Sequence, residues 1–218
     1  MIGNYDESLS MDYENGFYLT SQPFRMGNIL AHYELYKKII NLPGDVVECG
    51  VFKGGSLIQF ATFRNLLENE GSRKIIGFDV FGEFPYAGNA EDEKFRDAFV
   101  KETGGQFLSE GELNLSLELK NIGNVELVKG DILNTLDFYI KDHPWLKIAL
   151  LHIDTDIYEP SKKALEVLYD RVVRGGVVIA DDYGVAGETR AFDEFFGTEL
   201  NLHKFPFSHN KPSFLIKE

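Results

Sequence analysis

The chain has 218 residues, 44% of them hydrophobic, and a formal net charge of −13. That length can bury one sizeable core, and the acidic balance works against nucleic acid or an anionic membrane surface as a partner. No apolar run approaches the ~20 residues that span a bilayer, the N-terminus lacks the basic and apolar regions of a secretory signal, and the lone cysteine, Cys49, excludes an internal disulfide and points to a reducing cytoplasm.

Residues 1–27 carry Tyr5, Tyr13, Phe17, Tyr18 and Phe24 without a clear period. They read as a frayed tail or as an arm that folds over a pocket as a lid. From residue 28 the pattern is that of one α/β domain running to residue 218. Apolar positions at helical spacing predict a helix over 28–41, which Pro43-Gly44 ends. VVECG (46–50) is a first strand, 56–70 an amphipathic helix and IIGFD (75–79) a second strand. This is a crossover unit of normal size for a parallel sheet. The long connection 80–124 contains a helix near 91–105 and a second that opens on Ser109 and Glu112, spaced as a capping box. A connection of that length is expected to shape the substrate site. Strands follow at 125–131 and 148–154, then a helix over 160–173 with Pro160 in its first turn, ended by Gly175-Gly176. Residues 177–182 are a fifth strand and 188–199 a last helix. LHKFPF and PSFLIK, separated by SHNK, read as a closing antiparallel pair of strands. No repeat or linker divides the chain.

Chemistry gathers at the ends of the strands. The first strand runs into a glycine turn, E-x-G-x-x-x-G-G-S, made of Glu48, Gly50, Val51, Phe52, Gly54 and Ser56. It is neither G-x-G-x-x-G nor a P-loop. Glu48 would repel phosphate and favour a cationic group such as the amine of a methionine moiety. Asp79, closing the second strand, can accept both hydroxyls of a ribose, and Asp131, after the third, could reach an adenine amine. The set suits S-adenosylmethionine better than NAD, because the former has no pyrophosphate to seat. Each acid also has a purely structural use, since strand-end aspartates cap helices.

HIDTDIYEP (152–160) and VVIADDYG (177–184) are apolar runs that end in aspartates. Buried charge at a strand end must be paired or bind a cation. If the two strands are neighbours, Asp154, Asp156, Asp181 and Asp182 converge at the ligand-binding edge of the sheet, an oxygen-rich set that suits Mg²⁺. His152, inside the first of these strands, is either a core histidine or a base. Arg190 is placed either on substrate or in an ion pair with Glu194.

At these segments the chain resembles the metal-dependent S-adenosylmethionine methyltransferases of the macrocin O-methyltransferase type, through LPGDVVECGVFKGGSL, IIGFDVFGEFP, LLHIDTDIYEPSKKALE and GGVVIADDYG followed by GETRAFDEFF. The resemblance implies a Rossmann-like class I sheet of seven strands, mostly parallel with an antiparallel C-terminal strand and helices on both faces. It implies Mg²⁺ held by Asp154, Asp181 and Asp182, ribose held by Asp79, and Asp156 as general base. The expected reaction is methylation of a hydroxyl on a sugar or glycosylated small molecule, free or nucleotide-linked, with the metal on vicinal hydroxyls and Asp156 or His152 taking the proton. A catechol-like acceptor also presents vicinal oxygens. An NAD-dependent oxidoreductase or epimerase would need the missing G-x-G-x-x-G, and a metal-dependent hydrolase would leave Glu48 and Asp79 without a role. The N-terminal aromatics point to a homodimer whose subunits exchange lids.

Overall fold

A computed structural model describes residues 1–208 and 211–218. The chain enters through a short 3-10 turn and α1 (Ser10–Thr20), a helix that buries none of its side chains. Helix α2 (Pro23–Ile39) starts earlier than its apolar period predicts, because Pro23 pre-sets the first helical turn. Next come β1 (Asp45–Cys49), α3 (Gly55–Leu67) and β2 (Ile75–Asp79). The long connection holds α4 (Ala90–Thr103) and α5 (Glu110–Leu119), and α5 opens on the expected capping box of Ser109 and Glu112. Strand β3 (Val125–Lys129) leads into α6 (Ile132–Asp142), then β4 (Ile148–Ile153), α7 (Tyr158–Leu168), β5 (Val172–Ala180), α8 (Ala186–Phe196) and β6 (Ser213–Ile216).

The described strands form one sheet in the order β3-β2-β1-β4-β5-β6, parallel except for β6, which runs antiparallel to β5. Among the described residues the sheet therefore has six strands, not the expected seven. The segment LHKFPF joins β6 only through one bridge, between His203 and Phe214. In that register the next hydrogen-bonded pair would be Phe205 with Pro212, but Pro212 has no N–H to donate and Phe205 O accepts from Ser208 N at 3.1 Å instead. Residues 209 and 210 of the SHNK connection lie outside the described residues. Strand β5 begins at Val172, earlier than predicted, and takes in Gly175-Gly176 as an irregularity opposite Ile148–Leu150 rather than as a helix stop. A Cβ on Gly176 would meet Ala149 O at 3.0 Å, so close strand contact, not chain reversal, explains that glycine.

Two apolar layers flank the sheet. On one side α2 and α3 pack over Val46, Leu150, Val177 and Ile179; on the other α6, α7 and α8 pack over Val47, Leu151, Val178 and Ala180. Successive strand residues point to opposite layers. Helix α6 was not anticipated, although Asp131 caps it and Ile132, Leu136 and Tyr139 recur on its buried face. The Arg64 guanidinium is fully buried and donates to the carbonyls of Arg73, Gly123 and Asn124, tying α3 to the loops around β2 and β3.

Candidate active site

The carboxyl ends of β1, β2 and β4 open onto a cavity of about 200 Å³, continuous with solvent. Its floor is the glycine turn. Gly50 has φ +91°, and a Cβ there would sit 1.8 Å from the carbonyl oxygen of Asp154, so only glycine lets β1 end against β4. Asp154 N donates to Cys49 O at 2.9 Å, and Asp181 N donates to Ile153 O at 3.0 Å. The hydrogen-bond ladder thus runs one step past the strands and delivers the acidic segments side by side.

Asp79 and Asp131 both line the cavity, and both have structural work. Asp79 Oδ2 accepts from Val51 N at 2.8 Å and Phe52 N at 2.9 Å, while Oδ1 accepts from Phe81 N at 2.7 Å. Asp131 caps α6 through Leu133 N at 2.9 Å. Phe52 also lines the cavity, its ring edge-on to Phe99 of α4 at 5.3 Å, whereas Val51 is buried. Gly54 is left-handed and touches Leu113 of α5, and Ser56 Oγ donates to Glu48 Oε1. Glu48 is wholly buried and is not on the cavity wall. The connection supplies the opposite wall through Phe84, Tyr86, Phe99 and Phe107. Asp92 of α4 locks that wall to the core: buried, it accepts from Tyr158 N at 3.0 Å and from Asn89 Nδ2 at 2.7 Å.

Carboxylates of Asp154, Asp156 and Asp182 offer oxygens within 4.8 Å of one another. Burial raises the Asp154 carboxyl well above the usual range, and the nearby charge of Asp181 adds to it. Burial likewise raises Asp156, with Asp182 adding to it through a hydrogen bond and its charge. The cluster is short of positive charge, and its donors are hard oxygens, so it fits a divalent cation of the Mg²⁺ type. Lys211 Nζ contacts Asp182 Oδ1 and partly offsets the deficit.

Asp181 differs from its neighbour. The period of the strand sends it to the α2/α3 layer, where its Oδ1 lies 3.1 Å from His32 Nε2 and 3.2 Å from His152 Nε2. Burial would raise this carboxyl, but the two imidazoles hold it well below the usual range. His152 is completely buried between Asp181 and Glu48; burial would lower its pKa, but the two carboxylates keep it well above the ordinary histidine value. Sequence reasoning missed His32, Glu188, Asp92 and Lys211. Glu188, fully buried at the start of α8, accepts from Asp182 N at 2.9 Å and from Thr155 N at 3.4 Å, joining the two acidic loops. Burial pushes its pKa up to about 8, with Asp182 adding to it. Its position six residues after the Asp-Asp pair was the available signal. Arg190 pairs with Glu194 at 2.7 Å and lies over the Tyr158 ring, on the surface.

A parallel sheet with its last strand reversed, a glycine turn after β1 and acids at the ends of β4 and β5 define a class I methyltransferase-type fold. Residues 25–206 match the family described as Macrocin-O-methyltransferase (TylF), and the chain belongs to that family. It is 30% identical over 165 residues to the 8-demethyl-8-(2,3-dimethoxy-alpha-L-rhamnosyl)-tetracenomycin-C 4'-O-methyltransferase of Streptomyces olivaceus, covering 72% of this chain and 59% of that protein. It is 32% identical over 168 residues to the demethyldecarbamoylnovobiocin O-methyltransferase of Streptomyces niveus, covering 71% and 59%. The chain thus spans 59% of the length of each of these curated relatives. Among solved structures, the calicheamicin methyltransferase CalS11 superposes with a TM-score of 0.74 at 26% identity, covering 97% of this chain and 86% of that one.

Proposed function

We propose that this protein is an S-adenosylmethionine-dependent, Mg²⁺-dependent O-methyltransferase acting on a hydroxyl of a sugar or glycosylated small molecule, free or nucleotide-linked. The observation that carries the reading is the meeting of a glycine turn and a cation-seeking carboxylate cluster on one cavity, at the sheet edge where such folds bind ligands. The names of the relatives supply the sugar class of acceptor.

S-adenosylmethionine would bring an electrophilic methyl group to the turn Gly50–Ser56, with Asp79 on the ribose side and Asp131 on the adenine side. Mg²⁺ would be held by Asp154, Asp181 and Asp182, and would orient two neighbouring hydroxyls and lower their pKa. Asp156 is the general base: it lies on the cavity wall in a left-handed backbone (φ +63°) that turns its side chain into the cluster. His152 is enclosed and would act through Asp181 rather than on the acceptor. The aromatic wall of the connection, and the arm 1–27 as a lid, would exclude water and align acceptor oxygen with the methyl carbon. The arm already touches the connection, Gly3 N donating to Glu112 Oε1 at 3.2 Å.

Calorimetric titration with S-adenosylhomocysteine, in Mg²⁺ and then in EDTA, with NAD⁺ as control, tests the pocket. Micromolar binding of the homocysteine compound alone is expected, followed by methyl transfer to a sugar acceptor that EDTA abolishes. A preference for NAD⁺ would defeat the reading.

A further inference from the structure

The apolar layer between α2, α3 and the sheet encloses a closed circuit of polar side chains. Ser56 Oγ donates to Glu48 Oε1; Glu48 Oε1 lies 3.4 Å from His152 Nδ1; His152 Nε2 lies 3.2 Å from Asp181 Oδ1. Asp181 Oδ1 also meets His32 Nε2 at 3.1 Å, and His32 Nδ1 hydrogen-bonds Gln59 Oε1 at 2.9 Å. Ser56 and Gln59 sit one turn apart at the start of α3, so the circuit leaves and re-enters the helix that follows the glycine turn. Of these side chains, Asp181 also acts on the carboxylate cluster, where its charge adds to the raised pKa of Asp154.

Such a circuit is costly. Glu48 and His152 are completely buried, Glu48 Oε2 has no hydrogen-bond partner, and neither ring nitrogen of His152 is aligned for one. Apolar residues of like volume would satisfy packing at less cost, since replacing buried ionic groups by apolar ones is often neutral or stabilising. The geometry shows what the polar groups do instead. The His32 and His152 imidazoles both lie within 3.2 Å of Asp181 Oδ1, so this carboxylate is held from the α2/α3 layer.

We propose that His152 and His32 are positioning residues for the cation ligand Asp181, and that Glu48 and Ser56 extend this hold to α3, so that the methyl donor and the cation bind with positive coupling. The proposal rests on the methyltransferase reading above. Ordering of the glycine turn by the donor's product draws α3, Ser56 and Glu48 into place, and His152 passes the constraint to Asp181. By linkage, the cation must favour the donor by the same factor.

Calorimetry over the four combinations of Mg²⁺ and S-adenosylhomocysteine tests this. Wild-type protein should bind Mg²⁺ at least about fivefold more tightly when saturated with S-adenosylhomocysteine. In the E48L/H152L double variant, which leaves no orphan carboxylate and keeps the layer apolar, that ratio should fall to near one. Mg²⁺ affinity should drop about tenfold, as for other residues that orient metal ligands, while S-adenosylhomocysteine affinity without Mg²⁺ holds. His32→Asn, a milder change on the other side of Asp181, should lower Mg²⁺ affinity in the same direction and serves if the double variant does not fold. Wild-type Mg²⁺ affinity and an intact ratio in folded variants would overturn the proposal while leaving the methyltransferase reading standing. A wild-type protein that binds no S-adenosylhomocysteine would overturn both.

Discussion

Single atoms set the limits at Gly50, Asp154 and Lys211. Adding a methyl group at residue 50 places carbon 1.8 Å from a backbone oxygen in a backbone with φ +91°. Gly50→Ala should therefore cost about 3 kcal/mol or more, from overpacking and strain together, read as a fall in the denaturation midpoint. Asp154→Asn keeps the shape of the site but removes charge from the cation cluster, so turnover should disappear while S-adenosylhomocysteine binding stays within a few-fold of wild type. Retained activity would remove Asp154 from the cation site. Lys211 supplies the cluster's cationic contact among the described residues, on Asp182. Lys211→Met should leave the carboxylates to Mg²⁺ alone and tighten its binding; weaker binding would mean that Lys211 supports the metal instead of competing with it.

At the scale of elements, α4 is the part that joins acceptor wall to core. Its Asn89 cap and three acidic residues in the first turn suit the helix N-terminus, but the attachment itself is Asp92 on Tyr158 N. Asp92→Ala leaves a buried N–H unpaired and should cost about 1–3 kcal/mol. The amides of 80–107 should exchange faster in that variant while those of the sheet keep their protection, which a uniform loss of protection would contradict. The glycine turn, the capping box at Ser109 and the four innermost strands could all be found from pattern, because each follows from local rules of propensity and period. The missed α6 was legible too, through its Asp131 cap and Ile132–Leu136–Tyr139 stripe, but an aspartate after a strand reads equally as a ligand contact, and that reading hides the cap. The expected seventh strand failed where Phe205 would pair with Pro212, which has no N–H, a local fact outweighed by an apolar pattern.

For the molecule as a whole, the buried acids make stability depend on pH. Glu188, with a pKa near 8 in the fold against 4.5 unfolded, holds its proton more tightly when native. Its penalty is absent below about pH 4.5 and grows until the native carboxyl ionises near pH 8. Asp154 and Asp156, also raised, act in the same direction. His152 adds to it above the unfolded histidine value, because its native pKa is raised and that stabilisation is lost as the native imidazole deprotonates. Asp181, lowered, matters only below pH 3.8, where its contribution is lost. Without metal, the melting temperature should fall from pH 5 to pH 8. Excess Mg²⁺ should restore about 2.7 kcal/mol at a hundredfold its dissociation constant and flatten the slope; a metal-free melting temperature that rises over this interval would contradict the account.

The sequence by itself determined the parallel core, the place of the glycine turn and the chemical type of the site, because strand period, turn residues and the cost of buried charge act over a few residues at a time. Only the tertiary structure decided how the four aspartates divide. Asp181 and Asp182 are neighbours in the chain, yet the pleat sends one to the histidines under α2 and the other to Asp154 and Asp156. His32 is 120 residues from His152 and meets it only because α2 packs across the sheet. Glu48, read as a ligand contact, proves to be a buried partner of His152, since the side of a strand that faces a neighbouring helix depends on layers that assemble from distant parts of the chain.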